Sequence, residues 1–271
     1  EIITKIPHER ISNTPIVLIH GAWHAAWCWE GNFLDYFPSR GWETHAVSLR
    51  GHGQSDGAST LHSTSIEDYV ADIKQVIDAL PCPPIVVAHS MGGFVVQKYL
   101  EQHAVAGAVL LAPVPHTGNG LCRWRMARKY PFSLIAAVLT RNPYLIMRKP
   151  EMFAWACYSD NIAPDVLAQH HKMLGQEAYK ATIQLAGPRG LPKPSKNTSP
   201  ISVIGGELDR MFSVQEIQQT AKAFGVEAKI FAGMPHSLMA VPGWEKVAEW
   251  VEQWAQQLIS AEPREAASTG G

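Results

Sequence analysis

One short run of residues constrains the fold of this chain more than any other. The apolar stretch Val86–Ala88 is followed, one residue later, by Ser90 and then by Gly92 and Gly93. This pattern matches the motif G-x-S-x-G, with Ala88 in place of the first glycine. In that motif the serine lies on a strained turn between a strand and a helix, and its hydroxyl is held above the edge of the sheet. The sequence therefore predicts a nucleophile at Ser90.

Three further segments combine an apolar strand with a loop that carries polar groups. The first strand ends in His-Gly, and in a hydrolase with this motif the following loop supplies one oxyanion-hole N–H, while the residue after the nucleophile supplies the other. These donors are predicted to be the amides of Ala22 and Met91. Downstream, Asp209 follows a second strand and His236 follows a third. The order Ser, Asp, His along the chain is the one expected for this arrangement.

With these segments in this order, the chain resembles the α/β-hydrolase superfamily from about residue 10 to residue 260. The stretch from His20 to Trp29 is similar to that of small esterases and of plant methylesterases and hydroxynitrile lyases. The segment Leu49–Ser55 is also widespread in the superfamily, and we interpret it as structural because its glycines suit tight turns. The resemblance implies an α/β fold with a mostly parallel central sheet, flanking helices and a helical cap inserted after the sixth strand.

Length and composition exclude several classes of protein. A chain of 271 residues accommodates one large α/β domain. A net charge of −1 indicates neither a nucleic acid nor an anionic membrane as partner, and no apolar run reaches the roughly 18 residues of a membrane span. Four cysteines without paired spacing indicate reduced thiols in a cytoplasmic protein, and no metal or cofactor motif is present. Nothing in the sequence indicates an oligomeric state.

The chain changes character near its middle. Strands and helices alternate up to about residue 112, which is typical of a parallel sheet covered on both faces. The alternation then gives way to helices, predicted at about Leu121–Lys129, Pro131–Thr140, Met152–Tyr158 and Asp165–Leu185. We interpret residues 1–113 and 200–262 as the core, residues 114–199 as the cap and residues 263–271 as a disordered tail.

The predicted cap is rich in methionine and aromatic residues. Such a composition indicates an adaptable apolar pocket for an acyl or aryl group. In a near-neutral chain, this favours a small uncharged ester or lactone with a short to medium acyl arm as the substrate. The candidate substrate contacts are Trp23, His24, Met126, Met147, Phe153 and Trp155.

The serine needs a partner that removes its proton as it attacks. His236 is the predicted base, and Asp209 is the predicted acid that holds the histidine in the correct tautomer. Glu207 competes with Asp209, but the superfamily pattern G-x-x-D favours the latter. His89 competes with His236, but adjacent residues leaving a strand point to opposite sides. Together with the oxyanion donors, these residues predict acyl transfer through an acyl-enzyme on Ser90.

The predicted function is therefore hydrolysis of carboxylic esters or lactones, with N-acyl homoserine lactones among the candidate substrates. Epoxide hydrolases and dehalogenases of this superfamily use an aspartate where this chain has Ser90. Hydroxynitrile lyases that resemble this sequence carry threonine and lysine where it has Ala22 and Ser237. Three alternatives stay open on the same fold: a cofactor-free perhydrolase, a C–C bond hydrolase, and a receptor that binds a small molecule without turnover.

Overall fold

A seven-stranded sheet organises the residues that the computed structural model describes, namely 1–188 and 190–261. The strands are Ile2–Lys5 (β1), Ile16–Ile19 (β2), Thr44–Val47 (β3), Ile85–His89 (β4), Gly107–Leu111 (β5), Ile201–Gly206 (β6) and Ala228–Phe231 (β7). Their spatial order is β1-β3-β2-β4-β5-β6-β7, and every neighbouring pair is parallel except β1 and β3. The strands β2, β4 and β5 are buried along their whole length, as expected for parallel strands covered on both faces.

Helices flank this sheet and fill the connections between its strands. Within the described residues the α-helices are Phe33–Ser39 (α1), Ile66–Asp78 (α2), Met91–Tyr99 (α3), Gly120–Lys129 (α4), Pro131–Leu139 (α5), Pro150–Tyr158 (α6), Pro164–Lys172 (α7), Tyr179–Gln184 (α8), Val214–Ala223 (α9) and Trp244–Ala261 (α10). The helices from α4 to α8 all lie between β5 and β6. The two helices α1 and α10 pack together through the rings of Phe33, Tyr36 and Trp244.

The predicted α/β-hydrolase arrangement of a mostly parallel sheet with flanking helices is confirmed. The resemblance places the inserted helices after the sixth strand, but five strands precede them among the described residues. The insertion therefore follows the fifth strand of this sheet and not the sixth. All five inserted helices fall within residues 114–199, and the role of this segment as a cap stays a prediction. The predicted tail, residues 263–271, lies outside the described residues.

The last helix predicted in the insertion was wrong as a single element. The predicted span from Asp165 to Leu185 is divided into α7 and α8 by residues 173–178. In this gap the N–H of Gly175 donates to the carbonyl of Trp23, over 2.8 Å, and Glu177 is buried inside the protein. Because glycine is a poor helix former and these contacts need an extended chain, the helix is interrupted here.

One helix start also differs from its prediction. The sequence predicts a capping box at Thr64 and Glu67, at the beginning of α2. The structure forms it one residue later, where the Ser65 hydroxyl accepts from the N–H of Asp68 and the Asp68 carboxylate accepts from the N–H of Ser65. The predicted type of cap, a serine or threonine followed three residues later by an acid, is thus correct, but its position was wrong by one residue. The spacing of Ser213 and Glu216 predicts a second box at the start of α9, and the structure forms it at these residues.

Candidate functional site

Ser90 occupies the sharp turn between β4 and α3. Its backbone has a φ of 53° and a ψ of −116°, a conformation that costs energy for a residue with a side chain. Two backbone hydrogen bonds hold it there: the Ser90 N–H donates to the carbonyl of Leu111 over 3.1 Å, and the N–H of Val114 donates to the Ser90 carbonyl over 3.0 Å. The end of β5 and the residues that follow it therefore hold the strained turn at both its N–H and its carbonyl.

Three glycines let the backbone approach this turn closely. A Cβ atom on Gly92 would lie 2.5 Å from the carbonyl oxygen of His20, which is shorter than any normal contact. A Cβ atom on Gly93 would lie 2.7 Å from the ring of Pro113, and one on Gly21 would lie 2.9 Å from the Cβ of Ser90. The turn thus requires glycine at these positions for steric reasons.

We expect Gly92→Ala to destabilise the protein by about 1–3 kcal/mol, because α3 must shift away from the backbone of β2 to make room for the methyl group. Chemical denaturation would measure this change in the free energy of unfolding. Gly120→Ala is the matched control, since a Cβ atom at Gly120, also in a helix, has no neighbour within 4 Å. Equal stability of the two variants would contradict the steric interpretation.

A chain of hydrogen bonds connects the serine to a buried acid. The Nε2 atom of His236 lies 2.9 Å from the Ser90 hydroxyl oxygen, and its Nδ1 atom lies 2.8 Å from Oδ2 of Asp209. The other carboxylate oxygen of Asp209 accepts from the N–H groups of Met211 and Phe212. All three side chains are buried. The structure therefore brings together the three residues predicted as nucleophile, base and orienting acid.

The two rival residues lie elsewhere. Glu207 is exposed and accepts a hydrogen bond from the N–H of Gly233, away from the histidine. His89 is fully enclosed behind His236, and its Nε2–H donates to the backbone carbonyl of that residue over 3.1 Å. Burial, together with the neighbouring His236, lowers the pKa of His89 well below its usual value, so this ring stays neutral. It supports the loop that carries His236 and makes no contact with the Ser90 hydroxyl.

Two backbone amides beside the serine lack protein acceptors. Over the described parts of the chain, the N–H groups of Ala22 and Met91 donate to no protein atom. His20 holds the peptide that carries the first of these: its Nδ1–H donates to the carbonyl of Gly21 over 2.7 Å. Its Nε2 atom accepts from the N–H of Leu49, which sets the tautomer of the ring. Because a trans peptide directs its N–H opposite its carbonyl, this bond orients the Ala22 amide.

A buried carboxylate lies behind the same loop, and sequence reasoning missed it. Both oxygens of Glu177 accept two hydrogen bonds each. One oxygen is bonded by the N–H of Trp23 and by His52, and the other by the hydroxyl of Tyr69 and the N–H of Ala178. Glu177 occurs in the short connection between two helices, where nothing in the local sequence pattern indicates that a carboxylate is buried.

An apolar cavity lies near the loops that carry Ala22 and Asp209, because its wall includes Trp23, next to Ala22, and Met211, two residues after Asp209. Neither Ser90 nor His236 lines this cavity. The helices α4, α5 and α8 supply most of the remaining wall. Two polar atoms of the lining residues are buried without a protein partner among the described residues: the indole N–H of Trp23 and the Oδ1 atom of Asn119.

The six predicted substrate contacts separate into two groups. Trp23 and Met126 line the apolar cavity. The other four, which are His24, Met147, Phe153 and Trp155, do not appear in its wall. Burial lowers the pKa of His24 to about 4, and its Nδ1–H donates to the carbonyl of Ala22. His24 lines a separate, smaller cavity. Met147 and Phe153 are core residues, and Trp155 packs edge-on against Tyr130.

Two further features of the described residues bear on the expected partners. Among residues 1–188 and 190–261, no group of three or more histidine, cysteine, aspartate or glutamate side chains is arranged to hold a metal ion. In the same residues, no helix combines the length and the apolar character needed to cross a membrane.

Comparison with known proteins adds to this geometry. The model of the alpha/beta hydrolase family matches residues 16–250. A monoacylglycerol lipase from Mycolicibacterium smegmatis is 26% identical over 257 residues, which are 88% of this chain and 86% of the lipase. A non-heme chloroperoxidase from Streptomyces lividans is 38% identical over 105 residues, which are 37% of each chain.

Solved structures show the same fold. The monoacylglycerol lipase of Paleococcus ferrophilus superimposes with a TM-score of 0.69 at 18% identity, covering 96% of this chain and 99% of the lipase. An N-acyl homoserine lactone degrading enzyme superimposes with a TM-score of 0.67 at 21% identity, covering 93% of this chain and 96% of that enzyme. Because the family model spans most of the sequence, the chain belongs to the alpha/beta hydrolase family.

Proposed function

We propose that the protein is a serine hydrolase of carboxylic esters or lactones with short to medium acyl chains. The single observation that carries this proposal is the hydrogen-bonded series from Ser90 through His236 to Asp209. Such a series lets the histidine accept the serine proton as the oxygen attacks, while the acid stabilises the imidazolium that results. The similarity to a monoacylglycerol lipase over 88% of this chain is consistent with this chemistry.

In the proposed mechanism, Ser90 attacks the carbonyl carbon of the substrate as His236 takes its proton. The amides of Ala22 and Met91 stabilise the negative charge that develops on the carbonyl oxygen. His236 then donates the proton to the departing alkoxide, which leaves an ester of the acyl group with Ser90. Water, activated by the same histidine, attacks this ester and releases the carboxylic acid. No metal or cofactor takes part in these steps.

The cavity is the proposed acyl site. Its apolar wall suits a hydrocarbon chain. Ser90 does not line it, but Trp23 does and directly follows the proposed oxyanion donor Ala22, so we propose that an acyl group attached at Ser90 extends into it. Because α4, α5 and α8 form most of this wall, we infer that residues 114–199 act as a cap on the core. Two atoms have no protein partner among the described residues, the indole N–H of Trp23 and the Oδ1 atom of Asn119. They would pair with the carbonyl and the N–H of an amide group next to the acyl chain. N-acyl homoserine lactones carry such an amide, and we propose them as candidate substrates.

The function is tested by hydrolysis of p-nitrophenyl esters from acetate to dodecanoate, compared with an N-acyl homoserine lactone of equal chain length. We expect turnover of both classes, with an optimum at short to medium chains. Preference for the lactone would favour the amide-binding interpretation. Peracid formation or C–C cleavage without ester hydrolysis would overturn the proposal, as would tight binding without any turnover.

We expect Ala137→Leu to shift the chain-length optimum towards shorter esters. Ala137 is a buried residue of α5 in the cavity wall, so a larger side chain there occupies space that a longer acyl chain needs. Because each methylene in an apolar pocket changes specificity by about 10-fold or more, the ratio of kcat/KM for octanoate to that for acetate should fall by about 10-fold. Ala136→Leu is the matched control, since the preceding residue of α5 lies outside the cavity wall. An unchanged ratio in Ala137→Leu would place the acyl chain elsewhere.

A further inference from the structure

The buried carboxylate of Glu177 connects the inserted segment to three parts of the core. Its partners are the N–H of Trp23 in the loop after β2, the ring of His52 in the loop after β3, and the hydroxyl of Tyr69 on α2. Glu177 itself lies between α7 and α8. Together with the N–H of Ala178, these partners give each carboxylate oxygen two hydrogen-bond donors. The proposed mechanism uses none of these hydrogen bonds.

Hydrogen-bond geometry indicates that His52 is positively charged. Its Nδ1 atom lies 3.1 Å from the carbonyl oxygen of Arg50, and its Nε2 atom lies 3.2 Å from the Glu177 carboxylate. Both neighbours are acceptors, and a neutral imidazole has one N–H only, so the protonated ring is the form that satisfies both. Burial by itself would lower the pKa of His52, but the Glu177 carboxylate outweighs it and holds that pKa above its usual value. The two side chains thus form a buried ion pair.

This ion pair contacts the loop that carries the Ala22 amide, through the N–H of Trp23. The N–H of Trp23 donates to Glu177 over 3.1 Å, and the carbonyl of the same residue accepts from the N–H of Gly175. Trp23 has a φ of 63°, a left-handed conformation that costs energy for a tryptophan and persists only when its surroundings hold it. Residues 175–177 therefore hold Trp23 at both its amide and its carbonyl.

We propose that Glu177, as the charged partner of His52, is a positioning residue that holds the Ala22 amide in place to stabilise the oxyanion. The inference rests on the proposed ester hydrolysis. It follows that the inserted segment contributes to the rate of acyl transfer as well as to the cavity wall. The amide geometry matters most in the transition state, when charge develops on the carbonyl oxygen.

We expect Glu177→Gln to lower kcat for an ester by about 10- to 100-fold, while KM changes by less than about threefold, because a displaced oxyanion donor affects the transition state more than bound substrate. The affinity for an alkyl boronic acid, whose tetrahedral adduct with the serine places an oxygen at the oxyanion position, should fall by a similar factor. Glu252→Gln is the matched control. Glu252 is also a buried carboxylate, and it accepts a hydrogen bond from the Tyr36 hydroxyl and forms an ion pair with Arg40. It lies on α10, outside the inserted segment.

The pH profile supplies a second measurement. Because the pKa of His52 is raised, the ion pair persists above the pH at which a free histidine loses its proton and is lost as the pH rises through that pKa, so kcat of the wild type should decline on the alkaline side. Of the other groups packed here, His20 and His24 have lowered pKa values owing to burial and stay neutral. Burial raises the pKa of Tyr69, and Arg50 keeps its charge beside Asp72. Glu177→Gln should lack this alkaline decline, and Glu252→Gln should retain it.

If Glu177→Gln does not fold, His52→Gln serves as the second variant. It leaves the carboxylate in place without its cation, so the pKa of Glu177 should rise and the decline in kcat should move to the acid side. If ester hydrolysis depends on Ser90, either of two results would overturn this inference and leave the proposed function intact. The first is an equal kcat in Glu177→Gln and Glu252→Gln, and the second is a wild-type pH profile in His52→Gln. Absence of hydrolysis by the wild type would overturn the proposed function and this inference with it.

Discussion

Ser90→Ala should reduce ester hydrolysis by a factor on the order of 10⁶ while leaving the fold intact. The loss is large because no other hydroxyl lies within hydrogen-bonding distance of Nε2 of His236 in the described structure, so the acyl-enzyme cannot form. The measurement is the turnover of a p-nitrophenyl ester by purified protein, with thermal unfolding to show that the variant is folded. Labelling by a fluorophosphonate, which reacts with activated serines, should disappear in the same variant.

The control for this result is Ser202→Ala, which removes the hydroxyl of another buried serine, in the strand β6. It should retain both hydrolysis and labelling. Hydrolysis by Ser90→Ala at more than about one thousandth of the wild-type rate would contradict the nucleophile assignment, since such a rate exceeds what the remaining site supplies.

Asp209→Asn should reduce turnover by about 10⁴. One oxygen of Asp209 accepts from the N–H groups of Met211 and Phe212, and in the variant the amide oxygen would occupy that position. The NH₂ group then faces Nδ1 of His236, which must become an acceptor. The ring proton moves to Nε2, towards Ser90, and the histidine can no longer remove the serine proton.

Glu207→Gln is the matched control, because it alters the other acid of the same loop by the same chemical change. Glu207 is exposed and binds only the N–H of Gly233 among the described contacts, so its loss should change turnover by less than about threefold. If Glu207→Gln lost activity and Asp209→Asn retained it, the assignment of the orienting acid would be reversed.

The parts of this protein that sequence reasoning predicted well are those with a strong local pattern. The turn at Ser90 needs a buried strand, small residues and a helix in immediate succession, and these are visible within eight residues of sequence. Asp209 and His236 follow strands whose apolar runs are equally plain. Because parallel strands present their carboxyl ends at one edge of the sheet, correct strands are enough to bring such distant residues together.

Features that depend on contacts between distant segments were not predictable in this way. The burial of Glu177 follows from Trp23, His52 and Tyr69, which are separated from it by more than a hundred residues of sequence. The break between α7 and α8 has the same origin, because a tertiary hydrogen bond from Gly175 overrides an otherwise helical pattern. Composition identified the inserted segment as apolar, but only the packing decides which of its residues face the cavity.

The three glycines next to Ser90 tolerate substitution less well than the helices of the inserted segment do. At Gly21, Gly92 and Gly93 even a methyl group meets neighbouring atoms within 3 Å. A mutagenesis library that includes these positions would consist mostly of inactive members. The helices α4, α5 and α8 line the apolar cavity with side chains, several of them partly exposed, and none of the three glycines belongs to its wall. Efforts to redirect this protein to new substrates should therefore randomise the inserted helices and keep Gly21, Gly92 and Gly93 unchanged.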